Sequence, residues 1–199
     1  MQTSDWYNLL YILSATAALI VMIRSFISSR ALSKMLLMLS FISFISGIGL
    51  SYAQMFTVQA REWGDLIGLT LAMSALYEEI RLSKPVFARF PTQLTFLPLI
   101  VILFYPLIVD STVVKELLFQ TYEGGMLIVA LLLFSNNHKF YSKSYLLIGG
   151  LLLLTVSYIM KWFFYDLNAA QVLTGVLFSA GLVITTIGLT HNNIKTSNS

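Results

Sequence analysis

The 199-residue chain has no cysteine, two histidines, four prolines and little charge, acidic and basic residues together making up 11%. Without cysteine there is no disulfide, no thiolate nucleophile and no Cys-ligated metal, and nothing marks the redox compartment. His138 and His191 each stand beside asparagine at the end of an apolar run. They read as interfacial loop histidines, because intramembrane haem needs histidines well inside helices. Gly-x-Ser-x-Gly, His-Glu-x-x-His and P-loop patterns are absent. No catalytic residue, metal or cofactor is therefore assigned, and an enzyme is a minor alternative. The basic residues form no contiguous patch, which argues against a nucleic-acid partner.

What is present is apolar. Hydrophobic residues make up 57% and the mean hydropathy is +0.81, whereas an ordinary soluble domain is about 45 to 50% apolar and about 25% charged. The surplus falls into segments of 18 to 23 residues, long enough to cross a hydrocarbon core of roughly 30 Å at about 1.5 Å per residue. The expected fold is an all-α integral membrane protein, a single seven-helix transmembrane domain over residues 1–190 with the bilayer as its main partner. Its spans are placed at about residues 6–23, 31–53, 64–82, 92–109, 112–134, 145–165 and 169–190. The first is expected to stop at Arg24-Ser25. It lacks the basic leader of a signal peptide and reads as a retained helix. Lys84-Pro85 ends the third span, Pro98 and Pro106 predict a kink in the fourth, and residues 191–199 read as a disordered tail.

The basic residues set an orientation. Arg24, Arg30, Lys34, Arg81, Lys84, Arg89, Lys139, Lys143 and Lys195 fall on one side, against Arg61, Lys115 and Lys161 on the other. Nine against three places the N-terminus outside and the C-terminus in the cytoplasm. Trp6, Trp63 and Trp162 then lie near the outer interface, and a bacterial or archaeal cytoplasmic membrane is the expected location.

Charge inside a bilayer is costly, roughly 2.5 to 3.5 kcal/mol at a helix centre, so polar groups there are the functional candidates. Glu123 leads, about 17 Å from the outer edge if its helix enters near Thr112. Lys161 sits near the outer end of the sixth span with Tyr158 three residues before it on the same face. Tyr122, Glu123, Tyr158 and Lys161 are expected to form an outward-facing pocket for a ligand or ion. The alternative is that Lys161 snorkels beside Trp162 while Glu123 is protonated or bonded to a neighbouring helix. Gly124-Gly125 costs helix propensity, roughly 1 kcal/mol per glycine, and implies close helix packing or a local break beside the carboxylate. Gly149, Gly150, Gly175, Ala180, Gly181 and Gly188 read as helix-contact positions, with a homo-oligomer through such faces as one use. At the cytoplasmic end of the third span, Glu78, Glu79, Arg81, Lys84 and Arg89 form a charged cluster, either a latch or a solvated, self-paired helix end.

Known seven-helix families fail on specific residues. A retinal-binding rhodopsin needs a lysine in the last helix, and residues 169–190 have none. SWEET-type sugar carriers need hinge prolines in the first two helices of each repeat, whereas the prolines here are Pro85, Pro91, Pro98 and Pro106. Glu78-Glu79 resembles the paired glutamates of intramembrane CAAX-type proteases, but the required arginine is replaced by Ser83. The remaining expectation is a receptor-like or accessory module that senses a ligand, ion or lipid and acts through a separate cytoplasmic protein. The alternative is a small carrier or channel with Glu123 as the coupling carboxylate.

Overall fold

The computed structural model describes residues 3–52, 59–83, 88–108, 110–136, 144–164 and 168–190, and every regular element among them is helical. The α-helices are α1 (Thr3–Ser29), α2 (Leu32–Tyr52), α3 (Gln59–Ser83), α4 (Ile100–Ile108), α5 (Thr112–Asn136), α6 (Ser144–Phe163) and α7 (Asn168–Thr190), with a 3-10 segment, Thr92–Leu99, leading into α4. Among the described residues five stretches are long and apolar enough to cross a membrane: Leu9–Ser29, Leu32–Ser51, Thr112–Asn136, Tyr145–Phe163 and Val172–Leu189. Thr92–Ile108 is a shorter apolar stretch. The fold is an all-helical bundle of the membrane type. Lys84, Pro85, His138, Lys139, Lys143, His191, Lys195 and the tail 191–199 lie outside the described residues.

Two local expectations change. Helix α1 does not stop at Arg24-Ser25 but runs on to Ser29, because neither residue breaks a helix. Its end comes at Arg30, whose φ of 48° is left-handed and whose N–H donates to the Phe26 carbonyl at 2.7 Å. That is the bond of an αL helix stop. The fourth segment is not one kinked helix but two windings. Eight residues run as 3-10, entered from Pro91 at φ −62°, and α4 follows, accommodating Pro106 in its interior.

The chain forms two compact units, Met22–Val129, and Met1–Val21 together with Ala130–Ser199. In the first, α2 lies along α3, and the 3-10 segment and α4 also pack on α3. The α2–α3 seam is nearly backbone against backbone: a Cβ on Gly64 would come within 2.6 Å of the Gly47 Cα, and one on Gly68 would meet the Phe44 ring. Ser40 and Ser43 cross the same seam, their hydroxyls donating to the carbonyls of Gly68 (2.7 Å) and Gly64 (3.0 Å). Small residues allow the approach, and the hydroxyls find acceptors there without water.

In the second unit α6 lies along α7 in a similar way. Gly150 faces Thr185 and Gly181, Gly188 faces Leu147, and the Ser157 hydroxyl donates to the Thr174 carbonyl at 2.9 Å. Tyr11 of α1 stacks on Phe178 of α7 with ring centroids 5.0 Å apart. Gly150, Gly181 and Gly188 are thus contact positions within the chain. A Cβ at Gly125 or Gly149 would meet no atom within 4 Å.

Candidate functional site

Charged side chains are concentrated at the two ends of α3. Its twelve middle residues, 66–77, carry no charge, while Arg61, Glu62 and Asp65 precede them and Glu78, Glu79 and Arg81 follow. Glu62 and Glu78 are sixteen positions apart, about 24 Å along an α-helix. Each carboxylate is bonded by side chains, but the two sets of partners differ in kind.

At the first end, Lys115 of α5 donates from Nζ to both carboxylate oxygens of Glu62, at 2.9 and 3.0 Å. The Tyr105 hydroxyl of α4 donates to Oε2 at 2.9 Å. Tyr105 is fully buried and held by rings on two sides, Trp63 at 4.9 Å and Phe119 at 6.2 Å, both edge-on. A buried phenol needs a partner for its hydroxyl, and Glu62 supplies it. Arg61 and Asp65 form a looser, more exposed ion pair at 3.9 Å. Three helices therefore meet on one carboxylate.

At the other end Glu78 is buried, and Arg81, one turn further along α3, grips it twice: Nε donates to Oε2 at 2.8 Å and Nη2 to Oε1 at 2.7 Å. The bidentate fork suits a carboxylate and neutralises its charge. The third donor is Thr95 of the 3-10 segment, itself buried, whose hydroxyl reaches Oε2 at 2.9 Å. Glu79 points to α2 instead, accepting from the Ser33 hydroxyl at 2.6 Å, and Lys34 acts on it electrostatically.

Of the expected charged cluster, Glu78 and Arg81 are in direct contact, Glu79 is tied to α2, Arg89 is exposed, and Lys84 lies outside the described residues. Of the expected outer pocket, Tyr122 and Glu123 are half-buried on α5, in the unit Met22–Val129. The Tyr122 hydroxyl makes a long contact, 3.5 Å, to the Pro98 carbonyl, where the winding changes from 3-10 to α. Tyr158 and Lys161 belong to α6 in the other unit. Tyr158 is half-buried with its ring edge-on to Trp162 at 6.3 Å, and Lys161 is exposed.

The Glu62–Lys115–Tyr105 cluster and the role of Thr95 were not anticipated from sequence. Glu62 and Lys115 are separated by 53 residues, beyond any helical spacing rule. The available signal was a lysine near the start of a membrane span, which calls for a counter-charge in the bundle, but the adjacent Glu116 offered a nearer candidate than Glu62. Among the described residues no group of three or more His, Asp or Glu side chains converges as metal ligands would. Comparison with family models, with curated proteins and with solved structures finds no match.

Proposed function

We propose that the chain is a seven-span protein of a bacterial or archaeal cytoplasmic membrane, with the N-terminus outside, acting as a receptor-like or accessory module. It senses a ligand, ion or lipid and passes the change to a separate cytoplasmic protein. The seventh span in this count is α3, too charged at its ends to stand out by composition. Its 25 residues, about 37 Å at about 1.5 Å each, are long enough to cross, and its terminal carboxylates have partners within the bundle. An interior helix of this kind need not be apolar throughout.

The observation that carries the proposal is the charged end of α3. There Glu78 and Glu79 take hydroxyls from two other elements, Thr95 and Ser33, on the side that the basic residues assign to the cytoplasm. A change in how α2, α3 and the 3-10 segment meet would be presented to a partner by the exposed Arg89. Glu123 is the sensing carboxylate. A carrier using Glu123 for coupling is the alternative, but residues 126–134, which follow it on α5, are all apolar and offer an ion no polar steps.

The test is made in the native membrane. A photo-crosslinker at Arg89 should give one discrete adduct with a cytoplasmic protein, changed in yield by Glu123→Gln. Glu123-dependent solute flux in proteoliposomes, or an exported C-terminal reporter, would overturn the proposal.

A further inference from the structure

The 3-10 segment is unusually long. Short 3-10 turns at helix ends are ordinary, but runs beyond three or four residues are uncommon, because the hydrogen bonds are poorer than in an α-helix. Here eight residues are wound this way. Their burial follows the winding: only Thr95 and Pro98 are buried, three residues apart in a helix of about 3.0 residues per turn. Seven residues beyond Pro98, within about 20° of the same face in an α-helix, lies the buried Tyr105. Thr95, Pro98 and Tyr105 thus share one face, with Thr95 on Glu78 and Tyr105 on Glu62.

Rewinding changes the rise little. From Thr95 to Tyr105 are four 3-10 steps and six α steps, about 17 Å; wound wholly as α the same residues would span about 15 Å. Each residue rewound from 3-10 to α also turns everything after it by about 20°, so four would rotate α4 by about 80°. That rotation would carry Tyr105 away from Glu62.

The local sequence supports the other winding. With α4 extended back to Phe96, Thr95 becomes its N-cap, the Thr95 hydroxyl accepting from the Leu97 N–H. Pro98 then falls in the first turn, where a missing N–H is harmless. The two states differ at the Thr95 backbone, which is helical within the present 3-10 run and must be extended to act as an N-cap. Release from Glu78 leaves no bare charge, because Arg81 still grips the carboxylate with two bonds.

We infer that Thr95 is a catch between two windings of residues 96–99: bonded to Glu78 it holds the 3-10 form and keeps Tyr105 on Glu62, and released it caps a longer α4 that turns Tyr105 away. The device couples the two ends of α3, and it does not depend on the receptor proposal.

Because the chain has no cysteine, introduced thiols are its only labelling sites. Spin labels at Leu82→Cys and Leu103→Cys, both exposed, in the full-length protein in nanodiscs report the position of α4 against α3. Thr95→Asp, which still accepts from the Leu97 N–H but cannot donate to Glu78, should add a second distance, since a side-chain tip about 5.5 Å from the helix axis sweeps about 7 Å over that rotation. Trp63 emission should shift as Tyr105 leaves its ring, while Thr95→Ser, which keeps the hydroxyl, should match the parent. Phe96→Pro favours the α form without changing Thr95 or Glu78, because proline fits the first helical position and drives the residue before it to extended backbone; it should raise the same second distance, so it carries the test if Thr95→Asp does not fold. An unchanged single distance in Phe96→Pro and in any folded Thr95→Asp, or the same new distance in Thr95→Ser, would overturn the inference.

Discussion

The two ends of α3 hold their carboxylates by different means. Among the described residues, Glu62 is bonded only by residues 43 and 53 positions away, on α4 and α5. Glu78 takes its two charged bonds from its own helix three positions on, and among the described residues only the Thr95 hydroxyl comes from elsewhere. The first arrangement makes a charge depend on tertiary structure, and loosening it exposes or orphans an ion. The second neutralises the charge locally and leaves the tertiary link as one neutral hydroxyl. One end can open at small cost, while at the other the Lys115 ion pair stays closed and only the neutral Tyr105 hydroxyl is lost, so a change at Thr95 reaches Glu62 without breaking a charge pair.

The contrast can be broken most severely at the seam both ends share. Gly64→Leu forces a side chain into the Gly47 backbone, and should cost about 3 kcal/mol or more, seen as loss of folded, monodisperse protein in detergent. A variant that stays as stable as the parent would mean that α2 and α3 do not meet there. Lys115→Met comes next. It leaves Glu62 with Tyr105 alone and should lower stability by about 2 kcal/mol, as expected for a bond to a charged group, measured as a reduced unfolding midpoint. Tyr105→Phe keeps the ring packing and removes one donor, for about 1 kcal/mol. Thr95→Val should have the smallest effect, about 0.5 kcal/mol, because Arg81 remains on Glu78. If Thr95→Val proved more damaging than Lys115→Met, the assignment of fixed and releasable ends would be reversed.

How much was legible in the sequence follows the same division. The membrane-type bundle was, because hydropathy over a span is a sum that no single residue upsets. The Glu78–Arg81 contact is one that helical spacing allows, since residues three apart are neighbours, although the sequence pattern marked a cluster and no pair within it. The pairing of Glu62 with Lys115 was not legible, since a linear pattern gives no rule for partners 53 residues apart. Thr95 looked like a polar residue at the start of a span, and its role depends on a winding that propensity does not reveal. Pro98 and Pro106 both suggested a kink. The structure instead places the change of winding after Pro98 and carries α4 through Pro106, at the cost of one helix hydrogen bond. The stop of α1 was misplaced for a related reason: charge does not end a helix, whereas the left-handed turn at Arg30 does.

The long separation of Glu62 from its counter-ion also bears on how the protein is made. Synthesis runs from the N-terminus, so on the seven-span topology Glu62 leaves the ribosome well before Lys115 exists to answer it. Helix α3 would then be a poor passenger in lipid on its own, and would have to wait at the insertion machinery until α5 followed, so that this group of helices enters the bilayer as a batch rather than one at a time.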